Sequence, residues 1–371
     1  MTLEQMTSRQ RLLACLRREP TDRVPVSCYE LCGYDEDAWY NHTPSYRPLM
    51  DQIRAKSDCI LMYAPPFRYD SEIVTHSTHR EDSYTVDHVT WHTPQGPFTM
   101  VTKQSDTVMT LWRVEHFLKD AADIRRFLDV EVPPPSLDME PFYRKQKALG
   151  ENGIMLLDFG DPLSDAADLL GMTQLLMMLF TDGDLIRALL ERLFAYKMQA
   201  IEAVAQHDLR DVMVRIYGAE YCTPPYLPPE LFPELETKYL TPMIARLRQA
   251  GAITRIHSHG NIRENLDEFV RTGVQCIDPV EPIPDGNISL AEVKAGWGDK
   301  LILMGNVELR ELENAAPARI RQLVREAMEA GKPGGGFILM PTATPIDLPL
   351  RPRVLENFLV FLDAAAEYGA Y

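Results

Sequence analysis

Nothing along the 371 residues approaches the ~20 consecutive apolar positions that cross a bilayer. The chain's start, Met1-Thr2-Leu3-Glu4-Gln5-Met6, is polar and has no apolar core of an export signal. The expectation is a cytoplasmic protein with no membrane partner. Paired cysteines are missing too. Cys15, Cys28, Cys32, Cys59, Cys222 and Cys276 are scattered without any C-x-x-C, which favours reduced thiols over a disulfide framework. Basic charge is scarce: 38 Lys and Arg stand against 54 Asp and Glu, a net −16. Such a field repels phosphate backbones, so nucleic acid is not an expected partner. There is no G-x-G-x-x-G after a strand, no Walker loop and no G-x-S-x-G elbow. Nucleotide binding and serine-hydrolase chemistry therefore drop out.

What is present is an ordinary globular composition, 45% hydrophobic and 25% charged. Eight short apolar runs recur: Val24-Pro25-Val26, Cys59 to Tyr63, Ile154 to Leu157, Val212 to Tyr217, Ile253 to His257, Val274 to Ile277, Leu301 to Met304 and Phe337 to Met340. Runs of this length and content read as buried parallel strands. Most are followed by helix-period segments, clearest at Ile320, Leu323, Val324, Ala327 and Met328 before Gly331. Eight strands alternating with helices predict an α/β protein, a single (β/α)₈ TIM barrel spanning 1–371. Residues 64–150 interrupt the alternation. Period-two segments at Ile73 to His76, Tyr84 to Trp91 and Phe98 to Val101 predict a β-meander, followed by helical sequence from Asp120 to Gly150. This is expected to be an insertion between the second and third strands, covering the barrel mouth.

Barrel active sites use side chains at the C-terminal strand ends. Here those ends carry Asp158 and Asp161; Tyr217, Glu220 and Cys222; His257-Ser258-His259-Gly260; Asp278 to Pro282; Gly305 to Glu308; and Thr342 to Asp347. Titratable groups cluster at one end, and few of them are cations. His257 and His259, at i and i+2 on a strand end, point the same way, and imidazole pairs of this kind bind divalent metals. Glu220 and Cys222 complete a tentative zinc set; the alternative is that both histidines only hydrogen-bond. His76, His79, His88 and His92 have no thiol or clustered carboxylates nearby in the sequence and read as structural or solvated. Cys28 and Cys32 read as buried structural thiols, and Gly334-Gly335-Gly336 as a tight turn.

Pro20-Thr21-Asp22-Arg23-Val24-Pro25-Val26, His257-Ser258-His259-Gly260-Asn261, Asp278-Pro279-Val280-Glu281-Pro282 and Met304-Gly305-Asn306-Val307 together resemble the uroporphyrinogen decarboxylase superfamily. The resemblance runs over essentially the whole chain. It implies a (β/α)₈ barrel and either porphyrinogen decarboxylation or cobalamin- or thiol-linked methyl transfer. True decarboxylases carry an Arg-Gln-Ala-Gly-Arg loop after the first strand that binds substrate carboxylates. Here the matching stretch, Ser27 to Tyr34, has no arginine and carries Glu30. The methyltransferase branch has His-x-Cys-Gly and a later Cys as zinc ligands. His257 matches, but His259 takes the first Cys position and Met340 to Thr344 lacks the second.

The resulting expectation is a methyltransferase moving a methyl group between a small O- or N-methylated compound and a corrinoid (cobalamin), carried on a partner protein. His257, His259 and Glu220 are the candidates for acid or Lewis-acid catalysis. Tyr217, Asp278, Glu281, Asn306, Tyr29 and Asp158 are expected to bind the donor. A decarboxylase-like lyase is the alternative, favoured if cations line the mouth. A non-catalytic partner of a corrinoid protein is the second alternative.

Overall fold

The computed structural model describes residues 5–69 and 73–371. The first four residues of the polar start, and residues 70–72 of the insertion, lie outside the described residues. Seven parallel strands form the central sheet in chain order: β1 (Cys59–Tyr63), β2 (Gly153–Gly160), β3 (Met213–Tyr217), β4 (Ile253–Ser258), β5 (Cys276–Pro279), β6 (Ile302–Val307) and β7 (Phe337–Pro341). Each corresponds to one of the last seven apolar runs, and helices lie between successive strands. Among the described residues no single helix is long and apolar enough to cross a membrane.

The first run departs from expectation. Val24-Pro25-Val26 forms no strand, only an isolated parallel bridge from Val26 to Leu339. Pro25 has no N–H to give a ladder, and the Val26 N–H goes to the Asp58 carboxylate at 2.9 Å. The segment still exchanges main-chain bonds on both sides. Ser27 donates to the Leu339 carbonyl at 2.9 Å, and Asp58 donates to the Val26 carbonyl at 2.6 Å. The surrounding Asp22-Arg23 pair is structural. Arg11 grips Asp22 and buried Asp58, and Arg23 reaches Asp58 at 2.7 Å.

Period-two alternation sorts the strand residues into two cores. Ile60, Ile154, Leu156, Met213, Ile253, Cys276, Ile302, Met304, Ile338 and Met340 face inward as one cluster. Helix Ser8–Leu16 adds Leu12, Leu13, Cys15 and Leu16 to that cluster, and Cys15 Sγ contacts the carbonyl at the start of β7. The N-terminal ends of the strands are thereby packed with apolar side chains. The opposite strand faces pack against the helices. Ile320, Val324, Ala327 and Met328 of helix Pro317–Gly331 are buried on one stripe, each larger side chain contributing about 1.5–3 kcal/mol.

Between β1 and β2 lies a four-stranded antiparallel meander: Ile73–Glu81, Tyr84–His92, Phe98–Ser105 and Leu111–Glu115. The last of these strands was not expected from the sequence. Its residues Leu111, Trp112 and Val114 are exposed, so no inward-facing pattern marks it. The meander is tied to the loop after β7, where Leu348 donates to Thr107 O at 2.8 Å and Met109 to Ile346 O at 2.8 Å. It therefore sits at the C-terminal end of the sheet. Its histidines stay at the surface: His76 pairs with Asp87 at 2.7 Å, and His79 stacks on His88. Cys28 and Cys32 are buried free thiols, and Gly334 to Gly336 form a turn with φ between +63° and +77°.

Candidate active site

The alternation that fills the N-terminal end of the sheet with aliphatic side chains places polar ones two residues further along the same face. Asp158 follows Leu156, Arg215 follows Met213, Arg255 follows Ile253, and Asp278 follows Cys276. The register sets Arg215 beside Asp158 and Arg255, and His257 beside Tyr217 and Asp278. A continuous chain of contacts results.

Arg215 makes a bidentate pair with Asp158 at 2.6 and 3.0 Å. Its other amino group donates to the Tyr29 hydroxyl at 2.8 Å. Tyr29 Oη lies 3.3 Å from His257 Nε2, and His257 Nδ1 lies 2.8 Å from Asp278 Oδ2. A carboxylate only accepts, so Nδ1–H donates to Asp278, while Nε2 faces the Tyr29 hydroxyl. Asp278 also takes both arms of Arg255. Burial opposes its charge, but Arg255 and then His257 hold its carboxyl far below the usual range. Burial likewise pushes the Tyr29 and Tyr217 hydroxyls well up, so both stay protonated donors. Tyr29 itself has φ +57°, an uncommon backbone state for a side chain of this size.

His259 stands further out, at about one-third exposure. Its ring meets His257 edge-on at 4.6 Å between centroids. Nδ1 is 2.6 Å from Glu281 Oε1, and Gly260 N–H donates to the other Glu281 oxygen at 2.6 Å. Burial works against the His259 cation, but the hydrogen bond and charge of Glu281, with Glu220 and Asp278 behind, raise its pKa above the ordinary 6.5. Glu281 is correspondingly lowered, burial being outweighed by the His259 contact.

The expected zinc set is not assembled. Among the described residues no three His, Cys, Asp or Glu side chains gather as metal ligands. Both nitrogens of His257 are engaged, and Cys222 is buried, its thiol pushed up by burial and by Glu236 and Asp161. Glu220 is bonded to the Gly218 N–H at 3.2 Å and touches neither histidine. Asn306 lies in a separate groove of about 230 Å³ with Pro282, Ile283 and Leu323.

The sequence view of a mouth with few cations also needs correction, because Arg215 and Arg255 lie inside it. Both occupy inward positions of strands read only as apolar. They are not free: Asp158 and Asp278 take each guanidinium face-on, and Glu30 lies 3.5 Å from Arg215. A second missed feature is a buried acid pair. Asp161 caps helix Pro162–Leu170 through the Ser164 N–H at 2.7 Å. Its other oxygen and both oxygens of Glu236 meet no donor. Burial, then the Asp161 charge, raises Glu236 well above the carboxyl range, and burial lifts Asp161 to about 7. A proton on Glu236 supplies the missing donor.

A family model described as uroporphyrinogen decarboxylase (URO-D) matches residues 139–367, more than half of the chain. The chain belongs to the uroporphyrinogen decarboxylase family. Among curated relatives, the uroporphyrinogen decarboxylase of Psychromonas ingrahamii is 27% identical over 202 residues, 53% of this chain and 52% of that one. The uroporphyrinogen decarboxylase of Actinobacillus succinogenes is 28% identical over 144 residues, 37% of each chain. The chain thus matches about half the length of these relatives or less. A solved methyltransferase from Methanosarcina mazei superposes with a TM-score of 0.62 at 16% identity, over 98% of this chain and 99% of that one. That likeness extends the shared fold over the full length. The family segment contains Asp158, Arg215, Arg255, His257, His259, Asp278 and Glu281. Tyr29, Glu30 and the meander lie before it.

Proposed function

We propose that this member of the uroporphyrinogen decarboxylase family is a methyltransferase, removing a methyl group from a small O- or N-methylated compound. The acceptor in this proposal is a corrinoid on a partner protein. The observation that carries it is the state of the mouth's charges. Two guanidiniums face three carboxylates, Asp158, Asp278 and Glu30, and the first two carboxylates grip them bidentately. Neither guanidinium is left over for a substrate with many carboxylates. The barrel in this proposal is completed by the Val24–Ser27 segment, which bonds both β7 and the residue before β1.

The corrinoid supplies the nucleophile that takes the methyl group. This chain's residues then have to make the leaving group leave. As the carbon–oxygen or carbon–nitrogen bond breaks, its electron pair stays on the heteroatom and needs a proton. His259 provides it from Nε2, because Nδ1–H is committed to Glu281 and the Glu281 hydrogen bond and charge favour the protonated ring. His257 and the Tyr29 hydroxyl, fixed by Asp278 and Arg215, orient the donor beneath it. Glu220 acts at a distance by favouring the His259 cation. The residues do not fit a zinc ion, and no step is routed through one.

The test is to mix the purified protein with cob(I)alamin and O- or N-methylated donors and follow methylcobalamin spectroscopically. His259→Gln should slow conversion by ~10²-fold or more. A second reading, decarboxylation of a carboxylated substrate, draws on the family match and the two mouth arginines. Carbon dioxide release from uroporphyrinogen at a catalytic rate, with no methyl transfer from any donor, would establish it instead.

A further inference from the structure

A cavity of about 470 Å³ lies between the meander and helices Pro162–Leu170 and Gly183–Val204. Its walls are mostly rings and aliphatic groups: Val89 and Trp91 of the meander, Phe117, Phe127, Leu193 and Tyr196. Trp91 packs edge-on against Phe117 and Phe127, and Phe127 against Tyr196, with centroids 6.1–6.4 Å apart. Asp165 and Asp168 complete one side. Their charges are already met, Asp165 by Lys197 at 2.8 Å and Asp168 by Arg113 at 2.8 Å. Arg192 lies 4.9 Å from the Tyr196 ring centre.

The cavity adjoins the mouth. A Cβ placed on Gly160, the last residue of β2, would stand 3.1 Å from Asp165 Oδ1 and 3.2 Å from Tyr217 Cζ. Asp165 on the cavity wall and Tyr217 in the mouth therefore approach each other across a glycine.

We propose that this cavity is a binding subsite for an uncharged aromatic ring, the body of the methyl donor whose methyl group is worked on at His259. The inference rests on the methyl-transfer reading and narrows its donor. Charge selects the occupant. An anionic donor meets the carboxylates of Asp165 and Asp168 on the wall, while a cationic one finds both already paired with Lys197 and Arg113. A neutral ring meets paired charges and a set of aromatic edges that favour offset or edge-on stacking. The volume suits a single substituted ring within the ordinary range of small-molecule sites. The meander supplies this lining, which gives the insertion a role in recognition.

The probe is anisole, followed by quenching of tryptophan fluorescence, with tetramethylammonium and benzoate as charged counterparts. Saturable quenching by anisole is expected. Val132 also lines the cavity, and Val132→Phe, which narrows it, should weaken anisole binding at least tenfold without loss of the cooperative melt. Trp91→Phe should abolish the quenching while calorimetry still records binding, which places the ring beside Trp91. Tighter binding of tetramethylammonium or benzoate, or no anisole binding by folded wild type, overturns the proposal. The two readings fail separately. Methyl transfer from aliphatic methylamines without anisole binding removes the subsite and keeps the reaction; anisole binding without methyl transfer from any donor keeps the subsite and removes the reaction.

Discussion

Asp278→Asn is the most informative single change, because one buried carboxylate serves two partners. Both its oxygens face Arg255, and Oδ2 also receives His257 Nδ1–H at 2.8 Å. Arg255 is 3% exposed and Asp278 is fully buried. The asparagine keeps the shape but leaves the guanidinium in the barrel without a counter-charge. An uncompensated buried charge of this kind costs about 3–5 kcal/mol. For a chain of this length, at roughly 2 °C per kcal/mol, the melting temperature should fall by about 6–10 °C. A double change, Arg255→Met with Asp278→Leu, removes both charges and should recover most of that loss, since apolar replacement of a buried pair is often neutral. It should not recover methyl transfer, because His257 has lost the acceptor that orients it. Urea unfolding of wild type, single and double variants measures the stabilities, and the methylcobalamin assay measures activity. A single variant within about 1 kcal/mol of wild type, or a double variant as unstable as the single one, would refute the claim that Arg255 is held by this carboxylate.

Glu281→Gln removes the nearest charge that raises His259 against the effect of burial, so its pKa should fall. A general acid works only while protonated, so the fall in rate on the alkaline side should move to lower pH; an unshifted rate profile would take His259 out of that role. Asp161 and Glu236 have pKa values raised by folding, so their stabilisation is complete below pH ~4 and is lost as pH rises through about 7 for Asp161. Glu236→Gln, which keeps a donor toward Asp161 at every pH, should gain about 1–2 kcal/mol over wild type at pH 8 and little at pH 5, read by urea titration at both. At Gly305, φ +144°, an added Cβ would stand 1.8 Å from the Pro279 carbonyl. Gly305→Ala should therefore destabilise by about 3 kcal/mol or more through backbone displacement, and a melting temperature equal to wild type would contradict the β5–β6 packing.

Strand positions were legible where hydrophobic period and burial coincide. All seven paired strands fall on runs that stand out by apolar content, and helix Pro317–Gly331 follows its stripe and begins at a proline. Val24 to Val26 carried the same signal and is not a strand, because apolar content cannot show that the Asp58 side chain takes its N–H. The histidines, Asp158, Asp278 and Glu281 were legible because strand ends are where a barrel gathers chemistry. Arg215 and Arg255 were hidden by the treatment of strands as uniformly apolar. The alternation Met213-x-Arg215-x-Tyr217 and Ile253-x-Arg255-x-His257 contained the signal, since both arginines share a face with the site. Glu236 had no such signal. It lies in a π-helical turn, Pro233–Thr237, and meets Asp161 only through the tertiary fold.

The division of labour within the chain bears on the choice between the two reactions. The segment matched by the family model holds His259 and Glu281, both buried arginines, and the aspartates that neutralise them. Residues before that segment bring what would meet a substrate: the Tyr29 hydroxyl, the Glu30 carboxylate and the ring-lined wall of Trp91, Phe117 and Phe127. A polycarboxylate needs cations from this earlier part, because the barrel's own are already paired. Tyr29, Glu30 and that wall bring an anion and apolar rings. Electrostatics and desolvation therefore act together against a multiply charged substrate and for a neutral one.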